Sequence, residues 1–109
     1  METTKETKRN IFCVFLELEH TKDRDKVWRV IQDFGACFIL IPNLAYIKLD
    51  AELNKDIGVA DIRNVIRRHM DYRDKIFVMK VEGWGASNFP KDLYEWLKSD
   101  FDKVDKVSA

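Results

Sequence analysis

The 109-residue sequence is poor in the residues that mark specialised chemistry. Its two cysteines, Cys13 and Cys37, form no Cys-x-x-Cys pair and have no histidine at ligand spacing, which excludes the common zinc and dithiol motifs. Both fall inside apolar runs, so two buried thiols of a cytoplasmic protein are the preferred expectation, with a disulfide between them as the alternative. Charge of either sign is not in excess: 19 basic and 19 acidic residues balance to zero, leaving no strongly basic arm for nucleic acid. No apolar run approaches the roughly 20 residues of a membrane span. The polar stretch from Met1 to Asn10 lacks the apolar centre of a signal peptide and is expected to be a tail. Glycine is scarce, and Gly83-x-Gly85 lacks the third glycine of a phosphate loop and leads towards Pro90. A nucleophile elbow, a His-Glu-x-x-His pair and internal repeats are all missing.

What is present suits one globular domain. The chain is 46% hydrophobic and 35% charged, and its length allows one two-layer core but not two. The domain is expected over residues 11–101, with tails at 1–10 and 102–109.

Ile11 to Glu19 reads as a first strand. Its even positions Phe12, Val14, Leu16 and Leu18 are apolar throughout and should face helices. The odd positions Ile11, Cys13, Phe15, Glu17 and Glu19 line the other face, which begins apolar and ends acidic. Asp23 or a neighbour can cap a helix carrying Val27, Val30, Ile31 and Phe34, with Trp28 bordering the core and Gly35 as the stop. Ala36–Ile41 and Leu44–Leu49 read as a hairpin around Pro42-Asn43. A polar connection leads to a helix from Val59 to Met70, with an apolar stripe of Val59, Ile62, Val65, Ile66 and Met70. Asp74–Glu82 reads as a fourth strand, with Phe77, Met79 and Val81 expected in the core and Ile76 and Val78 on the second face. Gly83-Trp84-Gly85 breaks it. Pro90 opens a last helix with Leu93, Trp96, Leu97 and Phe101 on one stripe.

The order strand, helix, strand, strand, helix, strand, helix is that of a ferredoxin-like α+β sandwich, βαββαβ, with an added C-terminal helix. Right-handed crossovers would give a four-stranded antiparallel sheet in the order 4-1-3-2. Ile11, Cys13, Phe15, Ile76 and Val78 would then form an apolar second face too large to leave in water. Either the last helix folds over it or a second copy does. A symmetric homodimer through the sheet face or edge is the preferred expectation.

The stretch from Gly58 to Phe101 resembles small bacterial proteins known as SinR-like. It carries Ala60-Asp61-Ile62-Arg63, His69-Met70-Asp71, Asp74-Lys75-Ile76-Phe77-Val78, Trp84-Gly85-Ala86-Ser87, Pro90-Lys91-Asp92 and Glu95-Trp96-Leu97-Lys98. These proteins are distantly similar to the dimeric, ferredoxin-fold, nuclease-like subunit of CRISPR adaptation. The resemblance implies a bacterial or phage source, a homodimer, and a metal-binding aspartate on the first strand at the dimer axis. Here that stretch reads Phe15-Leu16-Glu17-Leu18-Glu19, so Glu17 is the nearest match and is not the family's aspartate.

Glu17 and Glu19, at i and i+2, share a strand face and are the candidate catalytic residues, with Glu17 the candidate ligand for Mg²⁺ or Mn²⁺. A solvated rim is the plainer explanation. Arg63, Arg67, Arg68 and Arg73 are the candidate contacts to nucleic acid or a protein partner, although basic residues also complement a helix C-terminus. Three functions follow: a homodimeric binding module without catalysis or cofactor, a metal-dependent nuclease using Glu17, and a nucleic-acid-binding or inhibitor protein acting through the basic second helix. The missing aspartate favours the first.

Overall fold

A computed structural model describes residues 9–52, 54–83, 87 and 90–98. The element order is β1 (Arg9–Glu17), α1 (Arg24–Asp33), β2 (Ala36–Ile41), β3 (Leu44–Asp50), α2 (Val59–Arg67), β4 (Lys75–Val81) and α3 (Lys91–Lys98). The strands form one antiparallel sheet in the order β2-β3-β1-β4, making an α+β protein with three helices among the described residues. β1 begins at Arg9, inside the segment expected to be a tail. Trp84 and Gly85 of the expected strand break, and Phe101 of the expected last stripe, lie outside the described residues.

Alternation in β1 sets the layers. Phe12, Val14 and Leu16 are buried with Val27 and Ile31 of α1, Ala45, Ile47 and Leu49 of β3, and Ile62 and Ile66 of α2. The core stripes of α1 and α2 are therefore two turns each, at i and i+4. Trp28, Val30, Phe34 and Met70 pack against its margin, as a bordering role for Trp28 requires. Val59 does not belong to it: this first residue of α2 remains exposed beside β4.

The helices start where local chemistry allows. Asp23 caps α1 by accepting a 3.1 Å hydrogen bond from the Lys26 amide, and Asp61 reaches back to the Gly58 amide at 2.8 Å to cap α2. The β2–β3 turn is held to the sheet by the Leu16 amide, which donates to the Asn43 carbonyl at 2.9 Å. A register shift between Ile39 and Ile41 marks a bulge in β2.

Cross-strand register fixes the faces of β4, and it reverses the sequence expectation. Phe15 is opposite Phe77, Cys13 opposite Met79 and Ile11 opposite Val81, so Phe77, Met79 and Val81 lie on the second face. Ile76 and Val78 are opposite Leu16 and Val14 and pack on the helix-side core. They do not share a face with Ile11, Cys13 and Phe15.

The third helix covers part of that second face. Leu93 and Leu97 of α3 are buried against Ile11, with Phe38, Leu40, Tyr46, Val81 and Trp96 around them. Lys48, buried on the same face opposite Ile11, donates from Nζ to the Trp96 carbonyl and lies 4.0 Å from the Trp96 ring centroid. α3 is thereby anchored to β3 by a charge-assisted contact as well as by apolar packing.

Gly35 has a steric reason to be glycine at the α1–β2 junction. A Cβ there would sit 2.2 Å from the Lys48 carbonyl oxygen of the neighbouring strand. Gly35→Ala is expected to cost about 1–3 kcal/mol by forcing β2 away from β3. A urea midpoint equal to that of the parent would contradict this.

Candidate functional site

The cleft at the C-terminal end of β1 is the first candidate. About 370 Å³ in volume, it is lined by Leu16, Glu17, Leu18 and Glu19, by Arg24, Asp25 and Trp28 of α1, and by Pro42 and Asn43 of the β2–β3 turn. Glu17 and Glu19 thus share one cleft. Their chemistry is diluted there, because Arg24 brings positive charge and the Glu17 carboxylate lies 3.5 Å from Lys75 Nζ. Among the described residues no three His, Cys, Asp or Glu side chains come together as a metal-binding group. A hard divalent ion needs several converging oxygens, so this donor set does not fit one well.

The basic cluster is the second candidate, and most of it is occupied internally. Arg67 donates through Nη1 to the Asp74 carbonyl and through Nη2 to the Tyr72 carbonyl, each at 2.5 Å. Arg73 forms a two-pronged contact with Asp71, at 3.0 and 3.1 Å, and lies over the Tyr72 ring at 5.6 Å. Arg63 bonds to the Asn64 side chain at 3.0 and 3.2 Å. Arg68 is exposed at the C-terminal cap of α2. Arg67 and Arg73 thus serve the α2–β4 turn, whereas Arg63 and Arg68 remain on the exposed surface of α2.

That turn is built on Asp74, whose role has no sequence signal beyond an acidic residue ahead of a strand. Its buried carboxylate accepts from the backbone amides of His20 at 2.8 Å and Thr21 at 2.7 Å, and from the Thr21 hydroxyl at 2.5 Å. Thr21 Oγ1 in turn accepts from the Asp71 amide at 3.0 Å. Two loops 53 residues apart in sequence are clamped together. Burial pushes the Asp74 carboxyl towards the neutral form, but the Thr21 hydroxyl, the two amides and the charge of His20 outweigh it and hold its pKa below the usual carboxylate value. Hydrogen bonds from the Arg73 side chain and backbone lower the Asp71 pKa to about 2.

The third candidate is the half of the second face that α3 leaves open. Phe15, Phe77 and Met79 are 37%, 59% and 49% exposed, and Ile41 at the β2 bulge is 51% exposed. Register places Ile41, Leu44, Phe15 and Phe77 in one row across all four strands. Of the residues expected at a dimer interface, only Phe15 lies open on this surface. Ile11 and Cys13 are buried within the chain, Ile11 beneath α3, while Ile76 and Val78 lie on the helix side. Phe77 and Met79 were hidden from sequence reasoning because both parities of β4 are apolar at its centre. The two cysteines are free thiols, and burial raises the pKa of each.

The clamp makes a prediction about acid. Because Asp71 and Asp74 have depressed pKa values when folded, their stabilisation is full above the unfolded carboxylate pKa of about 3.9 and is lost as pH falls through the folded values, which for Asp71 is about 2. Asp74→Ala should lower the melting temperature at neutral pH by about 10 °C and flatten the loss of stability as pH falls below the unfolded carboxylate value. An unchanged acid limb would show that the clamp contributes little.

Comparisons with protein families, with curated proteins and with solved structures find no match to this chain.

Proposed function

We propose that this chain is a small ferredoxin-like interaction module that works by self-association rather than by catalysis. On this reading it keeps the fold and pairing habit implied by its resemblance to SinR-like proteins, without a metal cofactor. The observation that carries the reading is the row of exposed apolar side chains on the open half of the sheet, centred on Phe15, Phe77 and Met79. Exposed large apolar residues are ordinary when scattered, but a contiguous row across neighbouring strands is the signature of a surface that is covered in use.

The other two functions draw less support. A nuclease would need accurately placed metal ligands. The Glu17–Glu19 cleft offers three carboxylates, with Asp25, that do not converge as a metal-binding group among the described residues and lie beside Arg24, with Lys75 close to Glu17. A nucleic-acid reader would need cations directed outward, whereas Arg67 and Arg73 are engaged in the α2–β4 turn.

Sedimentation equilibrium tests the proposal. The 12.9 kDa chain should behave as a dimer, and Phe77→Asp should weaken association by at least about 100-fold while leaving the melting temperature near that of the dissociated parent. A monomeric mass at high protein concentration would contradict the proposal. So would Mg²⁺- or Mn²⁺-dependent cleavage of RNA or DNA that disappears in Glu17→Ala, because it would put catalysis first.

A further inference from the structure

The two edges of the sheet differ in a way that bears on how a second copy would bind. β2 forms one edge, and its ladder is interrupted by the bulge between Ile39 and Ile41. Such a bulge is a common device for protecting an edge from further pairing. β4 forms the other edge and runs from Lys75 to Val81 in unbroken register with β1, with no proline in its seven residues. Its lysines would ordinarily blunt the edge, yet Lys75 lies 3.5 Å from Glu17 and Lys80 lies 3.8 Å from Glu82. Beside it, Val59, Ala60 and Arg63 of α2 and Ile76, Phe77 and Val78 enclose a shallow groove of about 220 Å³ that follows the strand.

We infer that β4 pairs edge to edge with β4 of a second copy, antiparallel about a two-fold axis at Val78, to give a continuous eight-stranded sheet. This rests on the self-association proposed above and specifies its geometry. Three features select the register. An axis at Val78 is the one that pairs all seven residues of each strand, whereas moving it one residue either way pairs five. It sets Phe77 of each copy opposite Met79 of the other, so the two most exposed apolar side chains of β4 meet on the open face. It also keeps like charges apart, with Lys75 opposite Val81 and Lys80 opposite Ile76. Packing face to face is less suited, because α3 already occupies half of the second face and stands beside the open half. Edge pairing avoids α3 and satisfies the outward main-chain groups of β4 as well as its apolar side chains.

Cysteine pairing in a Cys13→Ala, Cys37→Ser background tests the geometry, with mass measured on the same samples. Val78→Cys should give a disulfide dimer on mild oxidation, since residues facing each other across an antiparallel pair have Cα atoms about 4.5–5.5 Å apart. Phe77→Cys alone and Met79→Cys alone should not, but a mixture of the two should form the mixed dimer. Phe15→Cys should stay reduced, because its copies would be three strand spacings, about 14 Å, apart. A dimer that links through Phe15→Cys and not through the β4 cysteines would overturn edge pairing and leave self-association standing. A monomeric mass would overturn both. Should Val78→Cys fail to fold, the Phe77→Cys and Met79→Cys mixture decides alone.

Discussion

The structure turns on how much of one sheet three short helices can cover. Four strands spaced about 4.8 Å apart and up to nine residues long make a sheet roughly 19 Å wide and up to about 30 Å long. α1 and α2, with ten and nine residues, cover one side through Val27, Ile31, Ile62 and Ile66. The described part of α3, Lys91–Lys98, has eight residues and is about 12 Å long, less than the length of the sheet. It takes the half around Ile11, Tyr46 and Val81 and leaves the half around Phe15, Phe77 and Met79. The apolar surface that defines the proposed function follows from this shortfall.

Polar chemistry in the chain is spent chiefly on holding that arrangement. Asp74 ties the β1–α1 loop to the start of β4, and Arg67 fixes the turn that delivers β4 to the edge. Lys48, which a sequence reading would leave at the surface, is buried against Trp96 and anchors α3. Groups that could have served a metal or a phosphate are thus drawn into structure, with Glu17 beside Lys75 and Arg73 against Asp71.

Much of this was legible in the sequence because the even positions of β1, Phe12, Val14 and Leu16, stay apolar to its end while the odd positions turn acidic at Glu17, and the i, i+4 stripes of α1 and α2 announce what covers the even face. β4 was misread because its centre, Ile76-Phe77-Val78-Met79, is apolar at both parities. Lys80 and Glu82 then made the even positions look solvent-facing. In the fold those two charges pair at the rim of the helix layer, while Val81, at the odd end, lies under the α3 cluster. Only the pairing of Val78 with Val14 settles the parity, and pairing partners 64 residues apart leave no local signal. The Asp74 clamp was illegible for the same reason, since its partners His20 and Thr21 are brought to it by the fold alone.

The central claim is that the open β4 edge, with Phe77 and Met79 beside it, is filled by a second copy of the chain, and hydrogen exchange across a dilution series tests it most directly. The account predicts that amides within Lys75–Val81 pointing away from β1 are protected at high protein concentration and lose that protection on dilution, while amides of β1 and β3 stay protected throughout. Outward β4 amides that exchange rapidly at every concentration would contradict it.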